Sequence, residues 1–282
     1  VRLALISEIH ANVEALQATL NDIALQAADR IVCLGDIVGY NTNPRECIAL
    51  LRKRGVLCVA GNHDRAVCSQ ISTETFSKTA SHAATWTREH LHGDDLNFLA
   101  GLPLKALVAD KLVVVHGALH PDVGCESVRL DSHASRALSF EALMAHPSGA
   151  RICAFGHTHE VALYELHDGR ITRHGDDDVR LRDDAYYLVN PGTVGMPSGR
   201  DSRASYMILD LARQTVTVRR VAYDLSFARA KTRRAGLAPY VSYLPPPLRI
   251  VLRRSWRALR PSRTFKDQTA SSGRIFICGR SR

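Results

Sequence analysis

No apolar run in this 282-residue chain approaches the roughly 20 residues needed to cross a bilayer. The opening segment, residues 1–6, is apolar but passes straight into polar residues. It lacks the longer apolar core and small-residue cleavage site of a secretion signal, so it reads as a first strand. A cytoplasmic location is the default expectation. The seven cysteines include no C-x-x-C pair, and their number is odd. A disulfide framework and a cysteine metal site are both disfavoured in a chain of this size. Cys33 and Cys153 lie inside apolar runs and read as small core residues. No repeat of fixed period is visible. Residues 1–244 have no surplus of either charge. Nine Arg and one Lys against one Asp, all after residue 244, account for the whole net charge of +9.

The length suits one large domain with an appendage. Strand-like runs at Leu3–Ile6, Ile31–Leu34, Val56–Ala60, Leu112–Val115 and Ile152–Phe155 alternate with helical patterns over 12–28, from Pro44 onward, and over a mostly helical insertion at 74–100. From about 161 the pattern changes to hairpins: Val161–Leu166, Ile171–His174, Tyr186–Val189, Ser205–Leu209 and Val216–Val221, with a turn at Asp168-Gly169. Strand and helix first, hairpins later, implies an α/β fold of mixed sheets covered by helices. A helix follows Tyr223-Asp224 to Arg234, and a second short one reaches Leu244. The prolines at 245–247 then end regular structure. Residues 245–282 form a basic, Pro/Arg/Ser-rich tail expected to be largely disordered beyond a brief amphipathic stretch near Trp256. Its charge suits electrostatic contact with nucleic acid or an anionic surface, although simple solvation is the plainer reading.

Four strand ends deliver residues that bind metals: Glu8 and His10, Asp36 after Gly35, Asn62-His63-Asp64 after Gly61, and His157 and His159 after Gly156. His116 follows a fifth strand, with His120 as its fallback. Strand ends at the carboxyl edge of a sheet are where α/β proteins usually build sites. Carboxylate, imidazole and amide ligands brought together there are what a two-metal hydrolytic centre needs. The lone His82, His90, His133 and His167 read as solvated. Asp176-Asp177-Asp178 reads as a solvated hairpin loop among arginines. Asn12 reads as a helix N-cap and pocket residue, with Tyr40 and Asn43 as pocket wall.

These residues carry a resemblance. The order D-x-H, G-D, G-N-H-[DE], His before Gly and G-H-x-H resembles the calcineurin-like metallophosphoesterase superfamily, in its small bacterial and archaeal phosphodiesterase branch. The likeness extends over 31–43, 190–195, 203–206 and 221–244, so it covers a domain of residues 1–244. It implies a four-layer α/β/β/α sandwich of two mixed sheets. It also implies hydrolysis of a phosphodiester or nucleotide-type phosphoester by a metal-bridging hydroxide. Glu8, His10, Asp36 and His159 would hold one divalent cation; Asp36, Asn62, His116 and His157 would hold the other. Manganese is the expected metal, with iron, zinc and nickel also compatible. His63 would protonate the leaving oxygen and Asp64 would orient its ring. A phosphomonoesterase or dinucleoside polyphosphate hydrolase is the alternative chemistry.

Glu8 departs from the Asp of that pattern, and its extra methylene shifts the carboxylate by about an ångström in a site that tolerates little misplacement. Three outcomes follow: a working site of altered geometry, a poorly occupied first metal site, or a non-catalytic scaffold. The retained His63 favours the first. On this reading Glu8→Asp raises activity or metal occupancy. Ala11 stands where the branch often has Gly, and a positive φ there would add about 1 kcal/mol of strain.

Overall fold

Leu3 and Leu5 alternate with Ala4 and Ile6 along the first strand, and all four are fully buried. A strand buried on both faces needs a layer on each side. The computed structural model, which describes residues 1–119, 126–175, 178–197 and 201–237, supplies those layers. Its first half contains β1 (Arg2–Ile6), α1 (Val13–Ala24), β2 (Arg30–Cys33), α2 (Pro44–Lys53), β3 (Leu57–Cys58), α3 (Asn62–Val67), α4 (Lys78–Glu89), α5 (Gly93–Ala100), β4 (Lys105–Val108) and β5 (Leu112–Val115). Then come α6 (His133–Met144), β6 (Ile152–Ala154), β7 (Val161–His167), β8 (Arg170–His174), β9 (Val179–Arg180), β10 (Tyr186–Pro191), β11 (Ala204–Asp210), β12 (Thr215–Val221) and α7 (Leu225–Arg234).

The strands form two six-stranded sheets, ordered β3-β2-β1-β11-β12-β9 and β4-β5-β6-β10-β7-β8. Both are mixed. In the first, β1, β2 and β3 run parallel while β11 is antiparallel to β1; in the second, β5, β6 and β10 run parallel. Period-two alternation sorts the side chains. Leu3, Leu5, Leu112, Val114, Val189 and Met207 meet between the sheets. Ala4 and Ile6 turn outward onto Leu16 and Leu20 of α1 and Ile48 of α2. Val113, Val115 and Leu188 turn outward onto Phe140 and Leu143 of α6. The result is the expected four-layer α/β/β/α sandwich.

Local signals explain most boundaries. Asn12 caps α1 by accepting from Ala15 N at 3.1 Å, and Pro44 opens α2. Asp168 and Gly169 both take positive φ, 48° and 73°, as a tight hairpin turn between β7 and β8 requires. Some expectations need correction. Helix α1 ends at Ala24 rather than 28, because Ala27 turns left-handed (φ 50°). Strand β3 spans only Leu57–Cys58, because Ala60 N leaves the sheet to bond Pro103 O at 2.8 Å. That departure carries Gly61 and Asn62 toward the site. Strands β4 and β9 and helix α6 were not expected.

Cys33, Cys47, Cys58 and Cys68 are free thiols, and Cys33 and Cys153 are buried as expected. No helix among the described residues is long and apolar enough to cross a membrane. The second short helix, the tail at 245–282, His120, and Asp176 and Asp177 lie outside the described residues.

Candidate metal centre

The parallel strands β1, β2, β5 and β6 deliver their following loops to one edge shared by the two sheets. These loops are strained. Glu8, His10, Ala11, Asp36, Tyr40, His157 and His159 all have left-handed φ, between 46° and 65°. Such conformations persist only where the surroundings over-determine them, and they cluster at functional sites. Here the loops lace into one another: Glu8 N to Gly35 O (3.2 Å), His10 N to Asp36 O (2.9 Å), Ala11 N to Ile37 O (2.9 Å) and Gly156 N to His116 O (2.7 Å). Ala11 does sit at φ 54°, the strained position its departure from Gly anticipated.

Three groups of ligand-type atoms lie within 4.8 Å of one another: Glu8, His10 and His159; His10, Asp36 and His63; Asp36, His116 and His157. All seven expected ligands therefore converge, since Asn62 Oδ1 is 3.1 Å from His116 Nε2. Backbone carbonyls set the imidazole tautomers. His10 Nδ1 donates to Val38 O (3.2 Å), His116 Nδ1 to Leu34 O (2.7 Å) and His159 Nδ1 to Met196 O (3.4 Å). A carbonyl only accepts, so each neutral ring carries its lone pair on Nε2.

Those Nε2 atoms face more electron pairs. Glu8 Oε2 is 3.1 Å from His10 and 3.0 Å from His159, and the two Nε2 atoms are 3.3 Å apart. Asp36 Oδ2 is 3.7 Å from His10 and 3.4 Å from His116. Lone pairs facing lone pairs repel unless protons or cations lie among them. The set of imidazoles, carboxylates and one amide, with backbone carbonyls behind the rings fixing their tautomers, fits divalent cations.

The charges agree. Burial works against ionised Asp36, but His116 and His63 hold its carboxyl at about 2 in spite of Glu8 nearby. Burial likewise opposes ionised Glu8, yet His159 and His116 hold it well below the usual range. Burial pushes the His116 ring down, and Asp36 and Glu8 outweigh it, raising it to about 10. Burial, His116 and Arg129 push His157 well down. The His116 shift has a testable consequence for the metal-stripped protein. Its folded pKa lies above the ordinary 6.5, so its contribution to stability is complete below that pH and is lost as pH rises toward 10. We expect the melting temperature of chelated protein to fall across that window, and to fall less with Mn²⁺ present, since the cation replaces the proton. A flat profile in the chelated protein would contradict a charged His116.

Not every residue takes the expected part. The Asp64 carboxylate accepts from Ile37 N (2.9 Å), Val38 N (3.1 Å) and Gly61 N (2.9 Å), while His63 Nδ1 has no hydrogen-bond partner among the described residues. Asp64 therefore organises the loop backbone and caps α3 rather than orienting the His63 ring. Burial and then Asp36 raise its pKa to about 7, against the pull of the Gly61 and Val38 N–H groups. Asn12 is buried, its oxygen on Ala15 N and its Nδ2 on Gly195 O (2.8 Å), so both polar atoms of its amide are engaged within the fold. The Asn43 amide bonds Glu46 Oε1 (2.8 Å) and Lys231 Nζ, tying α2 to α7. The Tyr40 ring lies 4.8 Å from that of His10 and 4.7 Å from that of His63. His82, His90, His133 and His167 stand outside the three groups.

Other residues at the site escaped the sequence reading. Asn190 Nδ2 donates to Gly156 O (2.7 Å) and Thr193 Oγ1 to Glu8 O (3.1 Å), which gives the 190–195 stretch a role as buttress. Arg129 Nη1 donates to His157 O (3.0 Å), with no motif to announce it.

Comparison with known proteins agrees with this geometry. A family model described as the calcineurin-like phosphoesterase superfamily domain matches residues 1–214, and the chain belongs to that superfamily. It is 34% identical over 233 residues to the uncharacterized protein MJ0912 of Methanocaldococcus jannaschii, covering 81% of this chain and 90% of that one. A crystal structure of a metallophosphoesterase from Sphaerobacter thermophilus is 34% identical, with a TM-score of 0.69 over 88% of this chain and 96% of that one. The hypothetical protein PH1004 from Pyrococcus horikoshii shares the fold at 19% identity, with a TM-score of 0.64 over 89% of this chain and 97% of its own.

Proposed function

We propose that this chain is a metal-dependent phosphoesterase whose substrate is a phosphodiester or a nucleotide-type phosphoester. The observation that carries the reading is Asp36 Oδ2, a single buried oxygen within 3.7 Å of His10 and 3.4 Å of His116, the two imidazoles that belong to separate ligand groups. One carboxylate shared between two groups is the arrangement a pair of cations requires. Glu8, His10, Asp36 and His159 would hold one divalent cation, and Asp36, Asn62, His116 and His157 the other. The pair would supply a hydroxide nucleophile near neutral pH and stabilise charge growing on the phosphoryl oxygens. Manganese is the expected occupant, and iron, zinc and nickel suit the same donors.

His63 is assigned as the acid that protonates the leaving oxygen. Burial, opposed by Asp36, lowers its ring to about 4, so it is neutral in the free protein at pH 7. An anionic phosphate against the ring favours its protonated form, which makes the acid available when substrate is bound. Tyr40 and Phe76, whose ring lies 5.0 Å from that of His63, flank the imidazole and limit its motion.

The test is metal analysis of the purified full chain together with turnover of simple aryl phosphodiesters and monoesters. Two bound divalent cations with faster diester turnover are expected. Faster monoester turnover would select the phosphomonoesterase alternative. Tight binding of two cations with no turnover across a broad phosphoester panel would leave a scaffold.

A further inference from the structure

Glu8 is one methylene longer than the Asp of the family pattern, and its surroundings take up the difference. Its two oxygens have separate partners. Oε1 accepts from the Ser7 hydroxyl at 3.0 Å and from the peptide N–H of His157 at 2.6 Å. Oε2 faces the Nε2 atoms of His10 and His159 at 3.1 and 3.0 Å. Ser7 and Glu8 are both fully buried.

Room for this arrangement comes from Gly156. A Cβ there would overlap Ser7 Oγ and lie 2.7 Å from Glu8 Oε1. The backbone is held as firmly as the carboxylate. Val194 N bonds Ser7 O (2.9 Å), and Gly195 N and Thr193 Oγ1 bond Glu8 O (2.8 and 3.1 Å). A side chain fixed at both ends has lost the extra rotor that made it unsuitable.

We infer that Ser7, together with the His157 peptide N–H, is a positioning residue that makes Glu8 a one-oxygen ligand, presenting Oε2 alone to the first cation. This rests on the two-cation reading above. Asp36 is arranged in the same way: its Oδ1 accepts from His63 N (2.9 Å) and its Oδ2 faces the imidazoles. Each carboxylate is thus tethered by a peptide N–H from another ligand loop, and Ser7 adds the tether particular to Glu8. The geometry also reverses the sign expected from sequence for Glu8→Asp. A shorter side chain cannot keep the Ser7 and His157 bonds while leaving an oxygen beside His10 and His159.

Binding of Mn²⁺ to the full chain, followed by electron paramagnetic resonance of the free ion, tests this. Wild type is expected to bind two ions. Ser7→Ala weakens one of them by about 10- to 100-fold, the usual effect of losing the hydrogen-bond partner of a metal ligand, and leaves the other unchanged. Glu8→Asp weakens the same ion. Adding Ser7→Ala to Glu8→Asp changes little more, because the hydroxyl acts through the carboxylate. Ser7→Cys replaces the oxygen by a larger sulfur and gives up most of the hydrogen bond, so it must reproduce the loss if Ser7→Ala does not fold. Unchanged affinities in a folded Ser7 variant would overturn the inference. So would a Ser7→Ala effect of equal size in protein that already carries Glu8→Asp. A wild type that binds no Mn²⁺ would instead overturn the two-cation reading beneath it.

Discussion

Asp36→Ala is expected to weaken both cations at once and to lower aryl phosphodiester turnover by roughly 10³-fold, the upper end of what losing one preorganised electrostatic group costs. Among the described residues, no other ligand appears in both the His10 and the His116 groups. Its Oδ2 lies between those rings, and its Oδ1 accepts the His63 peptide N–H at 2.9 Å. The close approach of Gly61 is part of the design, since a Cβ there would overlap Asp36 Oδ1. Truncation therefore removes a shared charge and loosens the start of α3 together. Asp36→Asn separates the two effects. It keeps an oxygen for His63 N and discards the charge, so it should bind cations nearly as poorly as Asp36→Ala while unfolding at a higher temperature. Calorimetric titration with Mn²⁺ beside a melting curve reads both. An Asp36→Ala protein that kept two cations and most of its turnover would sink the shared-ligand assignment.

The convergence of these ligands was legible in the sequence because each sits just after an apolar run that reads as a strand. A parallel sheet brings such ends to one edge wherever the strands themselves fall. The unbroken apolar runs Leu3–Ile6 and Leu112–Val115 call for cover on both faces, while the four-layer arrangement itself rested on the family resemblance. What stayed hidden depends on pairings that local pattern does not encode. The partners of Asp64, Ile37 N and Val38 N, come from a loop 27 and 26 residues earlier, and only the fold brings them to its carboxylate. Ser7 carries no signal of its own in the sequence, since its contact with Glu8 Oε1 depends on where that side chain ends up. Helix α6 went unseen because the residues it buries include Ser135 and Ser139 beside Phe140 and Leu143, a weak apolar stripe. Strand β9 is two residues long and held by pairing with β12, well below what periodicity can register.

His63→Gln should separate acid catalysis from metal binding. One ring nitrogen of His63 lies within 4.8 Å of ligand atoms of His10 and Asp36, so proximity alone allows it to be either an acid or a ligand. The two roles differ in what is lost. As an acid, His63 matters in proportion to how badly the leaving oxygen needs a proton. The variant should then lose roughly 10²- to 10⁴-fold in kcat on an alkyl ester and much less on a nitrophenyl ester, with both cations retained. The pH dependence carries the same information. The free ring sits at about 4, lowered by burial, whereas a bound phosphate anion raises it. In wild type the limb where activity falls with rising pH should therefore lie above that value in the kcat profile, which reports the substrate complex, and it should vanish in the variant. A His63→Gln protein that slows both esters equally and binds fewer cations would make His63 a ligand. The proton for the leaving group would then have to come from elsewhere.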